Sequence, residues 1–140
     1  MAVSDERRAL LGAIADQLIP AGSGMPSASE AGVSAQFLDE VLAARPDLAA
    51  PLERALDSVE GLAPGAAIAR LRDTDPEGWG VVTTIVPGAY FLNPETRAAL
   101  DYPGLERRPI DPDAAPDYND EGLLDSVIAR GPVYRPTPDD

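Results

Sequence analysis

The chain contains no cysteine, no histidine and no lysine. Without cysteine there is no disulfide, no thiolate nucleophile and no cysteine-ligated zinc, and without histidine the usual proton carrier near neutral pH is missing. Without lysine no Ser-x-x-Lys arrangement is possible, and the serines have no histidine partner. Carboxylate and tyrosine are the common acid–base groups that remain, and nothing in the placement of the acids marks a catalytic pair. Aromatic residues make up only 5% of the chain, and Phe37 alone precedes Trp79. The first half must therefore be packed with Leu, Val, Ile and Ala.

All 11 basic residues are arginine, and 24 acids leave a net charge of -13. A negative field of that size repels phosphate backbones and anionic lipid, which argues against nucleic acid and against a polybasic type of membrane attachment. No apolar run approaches the roughly 18 residues that a membrane span needs, so direct membrane insertion is not expected. Arg7-Arg8 followed by ALLGAIA superficially resembles a twin-arginine export signal. The apolar run stops at Asp16, however, and no small-residue cleavage site follows a proper apolar core. These arginines read as solvated helix residues and the chain as cytoplasmic. Its 140 residues suffice for one domain that buries roughly two-thirds of its unfolded surface.

The apolar periodicity is helical throughout, and the expected fold is all-α, a small helical bundle. Ser4 followed by Asp5 and Glu6 starts a helix whose stripe is Leu10, Leu11, Ile14, Leu18 and Ile19, closed by Pro20. Ser27 with Glu30 matches a capping box ahead of Ala31, Phe37, Leu38, Val41 and Leu42, with Gly32 placed to kink or split that segment. Asp47 is positioned to cap a third helix carrying Leu48, Leu52, Leu56, Val59 and Leu62, and a shorter piece over 65–73 carries Ile68 and Leu71. In EGWGVVTTIVPGAYF the β-branched run has strand propensity, yet Trp79, Val82, Val86 and Tyr90 keep helical spacing after a Thr74 or Asp75 start. Helix is expected there, kinked at Pro87. Asn93-Pro94-Glu95 starts a further short helix that places Leu100 beside the core, and DYPG at 101–104 turns the chain.

Beyond Gly104 the composition changes. Residues 105–140 hold six prolines and many acids. One helix is expected there, about 120–130, with Leu123, Leu124, Val127 and Ile128, ended by Gly131 and Pro132. The chain thus divides into a bundle over 1–104 and a proline-rich extension over 105–140. VYRPTPDD is expected to be extended, because a residue preceding proline is pushed out of the helical region. Such a tail either wraps its own bundle or lies along another protein.

Several motifs invite a functional reading. AGSGMPSA lacks the lysine of a phosphate loop and follows no strand, so it reads as a helix-to-helix corner. Asp111, Asp113, Asp117, Asp120 and Glu121 miss the alternation of a calcium loop and read as a solvated acidic stretch. Trp79 and Phe91 are expected in the core. Tyr102, Tyr118 and Tyr134, the last beside Arg135, sit among prolines and charges, and tyrosine and arginine are enriched where protein meets protein. These four are the candidate partner-binding residues; no catalytic, cofactor-binding or metal-binding residue is assigned.

Two segments carry a family likeness. ADQLIPAGSGMPSASEAGVSAQFLDEVL, residues 15–42, with its Ala-Asp-x-Leu-Ile-Pro start and Pro-x-Ala-x-Glu-Ala-Gly turn, resembles the gluconate 2-dehydrogenase subunit 3 family. YFLNPETRAALDYPG, residues 90–104, is similar to that family's later segment. The likeness covers about residues 8–104. It implies a small, non-catalytic subunit of a heteromeric flavin-dependent dehydrogenase acting on sugars, sugar acids, polyols or related alcohols. The implied partner is a large subunit of the glucose-methanol-choline (GMC) oxidoreductase type that holds FAD, with no cofactor on this chain. The small subunit would support folding, flavin retention or stability of the large one in a chaperone-like way. Many members begin with a twin-arginine signal, from which this chain departs. The competing reading is a free-standing helical ligand-binding domain or carboxylate-based enzyme, and a third is a bare structural adaptor.

Overall fold

In the computed structural model, residues 3–105 and 122–133 are described. The first helix, α1 (Asp5–Leu18), begins where its chemistry dictates: the Ser4 hydroxyl accepts from the Arg7 amide, and Asp5 and Glu6 occupy the positive end of the helix dipole. Six further helices follow among the described residues, α2 (Gln36–Ala44), α3 (Ala49–Ser58), α4 (Pro64–Thr74), α5 (Pro76–Leu92), α6 (Pro94–Ala99) and α7 (Asp125–Arg130), with a 3-10 turn at Pro46–Leu48. The architecture is all-α, as the periodicity predicts. The chain divides into two compact units, Met1–Leu105 and Glu106–Asp140.

In the first unit α5 is the central element, packed against α2, α3, α4 and α6, while α1 lies on α3 and α4. The core is aliphatic: Leu11, Ile14, Leu38, Leu52, Leu56, Leu71, Val82, Ile85 and Val86 are completely or almost completely buried. Each such side chain stabilises the fold by about 1.5–3 kcal/mol relative to exposure. The β-branched run of α5 is helical because its context overrides propensity. Asp75 caps it by accepting from Gly78 N at 2.9 Å, and Val81, Val82, Ile85 and Val86 face the core. Pro87 lies inside this helix. The intrahelical bond it removes would have gone to the Thr83 carbonyl, on an exposed residue where water can serve instead.

The corner between α1 and α2 is built from tight turns. Gly22 and Met25 exchange two backbone hydrogen bonds around Ser23 and Gly24, whose φ values of 52° and 82° fit a type I′ turn. The capping box forms, with Ser27 N donating to Glu30 Oε2 at 2.8 Å and Glu30 N to Ser27 Oγ at 3.4 Å. It opens only one helical turn, and α2 does not begin until Gln36. At Gly32, φ 77°, the chain turns left-handed. Val33 N donates to Ala28 O and Gly32 N to Ser29 O, the bond pair of a Schellman ending. Gly32 therefore splits the segment. Gly32→Ala is expected to cost about 1–2 kcal/mol, the penalty for a Cβ in the left-handed region, measurable as a lower midpoint in urea unfolding.

Several sequence expectations need correction. Arg7 and Arg8 are not simply solvated. Arg7 pairs with Asp57 at 2.6 Å, and Arg8 donates to the carbonyls of Val3, Ser34 and Ala35 and pairs with Asp39. Asp47 caps nothing, because Arg45, two residues earlier, binds it bidentately at 2.9 and 2.7 Å and α3 starts after the 3-10 turn. Phe91 and Leu100 are each 50% exposed rather than core, and Leu62 at 38% leaves the α3 stripe. At the end of α5 the neighbouring Tyr90 takes the buried position, and Phe91 stands edge-on to its ring at 5.4 Å. Trp79 is half-buried against the core.

In the second unit a helix is expected over about 120–130; among the described residues only Asp125–Arg130 is helical, as α7, preceded by a turn at 122–124 and ended by Gly131 at φ 71°. Leu123, Val127 and Ile128 are exposed, and Leu124 is half-buried. Among the described residues no helix is long and apolar enough to cross a membrane.

Candidate functional site

The two segments that carry the family likeness meet in space. Tyr90 Oη donates to the Pro26 carbonyl at 2.8 Å, and Asn93 Nδ2 donates to the Ala31 carbonyl at 3.1 Å. Both bonds span more than sixty residues of sequence and tie the end of α5 to the turns between α1 and α2. Burial pushes the Tyr90 phenol above its ordinary value, so it remains a donor well into the alkaline range. Asn93 works at both ends of its amide, since its Oδ1 also accepts from Glu95 N at 2.8 Å and so caps α6. A shallow groove of about 300 Å³ lined by Glu30, Ala31, Gln36, Phe37, Asn93, Pro94 and Glu95 marks the seam.

On the other side of the corner, Asp16 receives two bonds from Ser29, from its amide at 2.7 Å and from its hydroxyl at 2.6 Å. Partial burial pushes the Asp16 carboxyl up, but the hydrogen bonds from Ser29 and Ser27 outweigh it and the net direction is down. A depressed carboxyl contributes stability that is present above its unfolded value and lost as pH falls through the folded value. Asp16→Ala is therefore expected to cost about 1–2 kcal/mol above pH 5. The gap from the parent chain should narrow below about pH 4, as followed by urea unfolding across pH.

From Asn93 the chain enters α6, only six residues long, and then leaves it through Asp101, a non-glycine residue at φ 53°. Leu100 N and Tyr102 N both donate to the Arg97 carbonyl, and Asp101 N donates to that of Ala98, which holds this turn in place. Tyr102, the one candidate partner-binding residue within the described part of the chain, is 53% exposed there. It lines a groove of about 400 Å³ with Pro94, Arg97, Ala98, Asp101 and Pro103. Tyr118, Tyr134 and Arg135, and the acids Asp111 to Glu121, lie outside the described residues.

Sequence reasoning missed Arg97. It is half-buried, its Nε is shut off from solvent, and among the described residues that nitrogen has no hydrogen-bond partner. The adjacent Thr96 Oγ1 is buried and unpartnered in the same sense. Nothing local in NPETRAALDYPG distinguishes Arg97 from a solvated helix arginine; its buried Nε appears only in the folded chain.

Two other concavities lie on the same unit. One of about 680 Å³, between α1 and the end of α3, is polar, with Glu6, Asp57, Glu60 and the Asp57-bound Arg7. The other, about 490 Å³, is mostly apolar and runs between α2 and α5 over Val41, Ala44, Leu48, Gly88 and Leu92. Among the described residues no group of three or more acids is gathered as a metal site would require. The chain matches no family model, no curated protein and no solved structure.

Proposed function

We propose that this chain is the non-catalytic small subunit of a heteromeric FAD-dependent dehydrogenase acting on sugars, sugar acids, polyols or related alcohols. In this reading it supports the folding, flavin retention or stability of a GMC-type large subunit. The observation that carries the reading is the joining of the two family-like segments through Tyr90–Pro26 and Asn93–Ala31. Segments with no shared secondary structure, far apart in sequence, meet at one largely buried seam, as expected if they resemble the family for a common structural reason. The absence of cysteine, histidine and lysine fits a chain that leaves the chemistry to its partner.

A subunit that binds only the folded flavoprotein stabilises it by mass action, by about 2.7 kcal/mol at a concentration one hundred times the dissociation constant. Heating the large subunit alone and with this chain, while following the fluorescence of released flavin, tests this. Release at a higher temperature in the presence of the chain is the expected result. Identical release curves at saturating chain would refute the reading. The second unit is read as lying along the same partner, so a chain ending at residue 105 should give a smaller shift than the full chain.

A further inference from the structure

Within the first unit, α6 is held differently from the other helices. Each of α1 to α5 buries at least one large aliphatic side chain, Leu11, Leu38, Leu52, Leu71 and Ile85 among them. The six-residue α6 buries one side chain only, that of Thr96, and Leu100 just beyond it is half exposed. A helix of this length has little stability of its own, because forming the first turn is costly and most helical stability in proteins comes from packing an apolar face. That face is missing from α6, which packs chiefly on α5.

The polar groups of α6 oppose its docking. Thr96 is 0% exposed, and among the described residues its Oγ1 has no hydrogen-bond partner; the Nε of the next residue, Arg97, is in the same position. Burying a polar atom without a partner costs enough to shift an equilibrium about five- to hundredfold, and water supplies the partner once the atom is uncovered. Nothing polar offsets this cost. The hydrogen bonds of the segment are local, from Glu95 N to Asn93 Oδ1, from Arg97 N to Asn93 O, and from Leu100 N and Tyr102 N to Arg97 O. Among the described residues, no hydrogen bond or ion pair joins residues 94–102 to any part of the unit except Asn93. Asn93 itself is fixed, since its Nδ2 is bound to Ala31 O across the seam.

We propose that α6 is a strap that lifts from α5 while the rest of the first unit stays folded, with Asn93 as the fixed pivot and the buried Thr96 hydroxyl and Arg97 Nε keeping the closed form only marginally favoured. Lifting hydrates both atoms, melts the short helix and uncovers the part of α5 on which it lies. The segments of a protein that move are those of lowest local stability, and they open without global unfolding. This concerns the chain by itself and holds whether or not the accessory role does.

Amide hydrogen exchange of the full chain, read residue by residue by NMR at low urea concentrations, tests this. The Arg97, Leu100 and Tyr102 amides are expected to exchange through an opening at least about tenfold more populated than the one that exposes the Val82 and Ile85 amides of α5. Their exchange should depend only weakly on urea, because lifting the strap exposes little surface. Thr96→Val keeps the shape of the side chain and removes the hydroxyl, and it is expected to raise the protection of the three amides at least about fivefold. Arg97→Met, which keeps an unbranched stem without the Nε, should act in the same direction. Exchange of the α6 amides at the rate and urea dependence of the α5 core would overturn the proposal on the parent chain alone, because the unit would then open only as a whole. Fast exchange that Thr96→Val leaves unchanged would mean that α6 merely frays at its ends. Lower protection in Thr96→Val would mean that the hydroxyl holds the closed form, and the proposal falls in both cases.

Discussion

Arg8→Ala is expected to lower the stability of the first unit by about 2–4 kcal/mol, more than any other single arginine replacement. The Arg8 side chain is only 19% exposed, and each part of it is used. Nε donates to Val3 O at 3.2 Å, Nη1 to Ser34 O and Ala35 O at 3.1 and 3.0 Å, and Nη2 pairs with Asp39. It thereby clamps the start of the chain and the start of α2 to α1. The α2 helix has no side-chain cap of its own, so the clamp fixes where it begins. Hydrogen bonds involving a charged group contribute about 1.5–3 kcal/mol each when lost singly, and they are not additive within one side chain. For a unit of this size the loss corresponds to a melting temperature lower by roughly 10–20 °C. Arg8→Lys should restore only part of it, since one ammonium cannot serve carbonyls on two segments and Asp39 together. Thermal unfolding followed by circular dichroism measures both. A fall for Arg8→Ala no larger than that for the exposed Arg70→Ala would contradict the clamp.

Asn93→Ala is the second large effect, expected at about 2–3 kcal/mol. The residue is 8% exposed and serves two structures at once, as cap of α6 and as the donor that satisfies Ala31 O. Losing a cap costs about 1 kcal/mol, and leaving a buried carbonyl without a donor costs about 1–3 kcal/mol. Asn93→Asp separates the two, because aspartate still caps but offers an oxygen to an oxygen at Ala31. It should be nearly as unstable as the alanine variant at neutral pH. Tyr90→Phe removes the companion bond to Pro26. Since both bonds hold the same corner, a double-mutant cycle between Tyr90 and Asn93 is expected to show coupling above about 0.5 kcal/mol. Strict additivity in urea unfolding would mean that the corner is not one cooperative piece.

What was legible in the sequence was local. Ser4, Asp75 and Asn93 cap the helices they precede because a short side chain reaches amides two or three residues away, and that geometry is written into the spacing. The apolar stripes of α1, α3 and α5 were readable for the same reason. Asp47 shows the limit, since the same residue had a second local partner in Arg45, and bidentate pairing won over capping. Arg8 could not be read at all, because its acceptors at Ser34 and Ala35 become neighbours only after the corner has folded. Phe91 and Leu100 were expected at the core from their apolar character and their place next to helices, but neither tells whether this chain covers them, and each is 50% exposed. Of the candidate site, Tyr102 was visible from its setting among proline and charge. Arg97 beside it was not, because its distinction is a buried Nε rather than a motif.

The central claim is the proposal that this chain holds a flavoprotein, and co-expression with a GMC-type large subunit tests it most directly. The pair would be run on size-exclusion chromatography with protein and flavin absorbance read across the peak, beside the large subunit expressed alone. The account predicts one yellow peak containing both chains, and a large subunit that loses flavin or solubility when this chain is omitted. A large subunit that is soluble, fully loaded with flavin and eluting apart from this chain would contradict it.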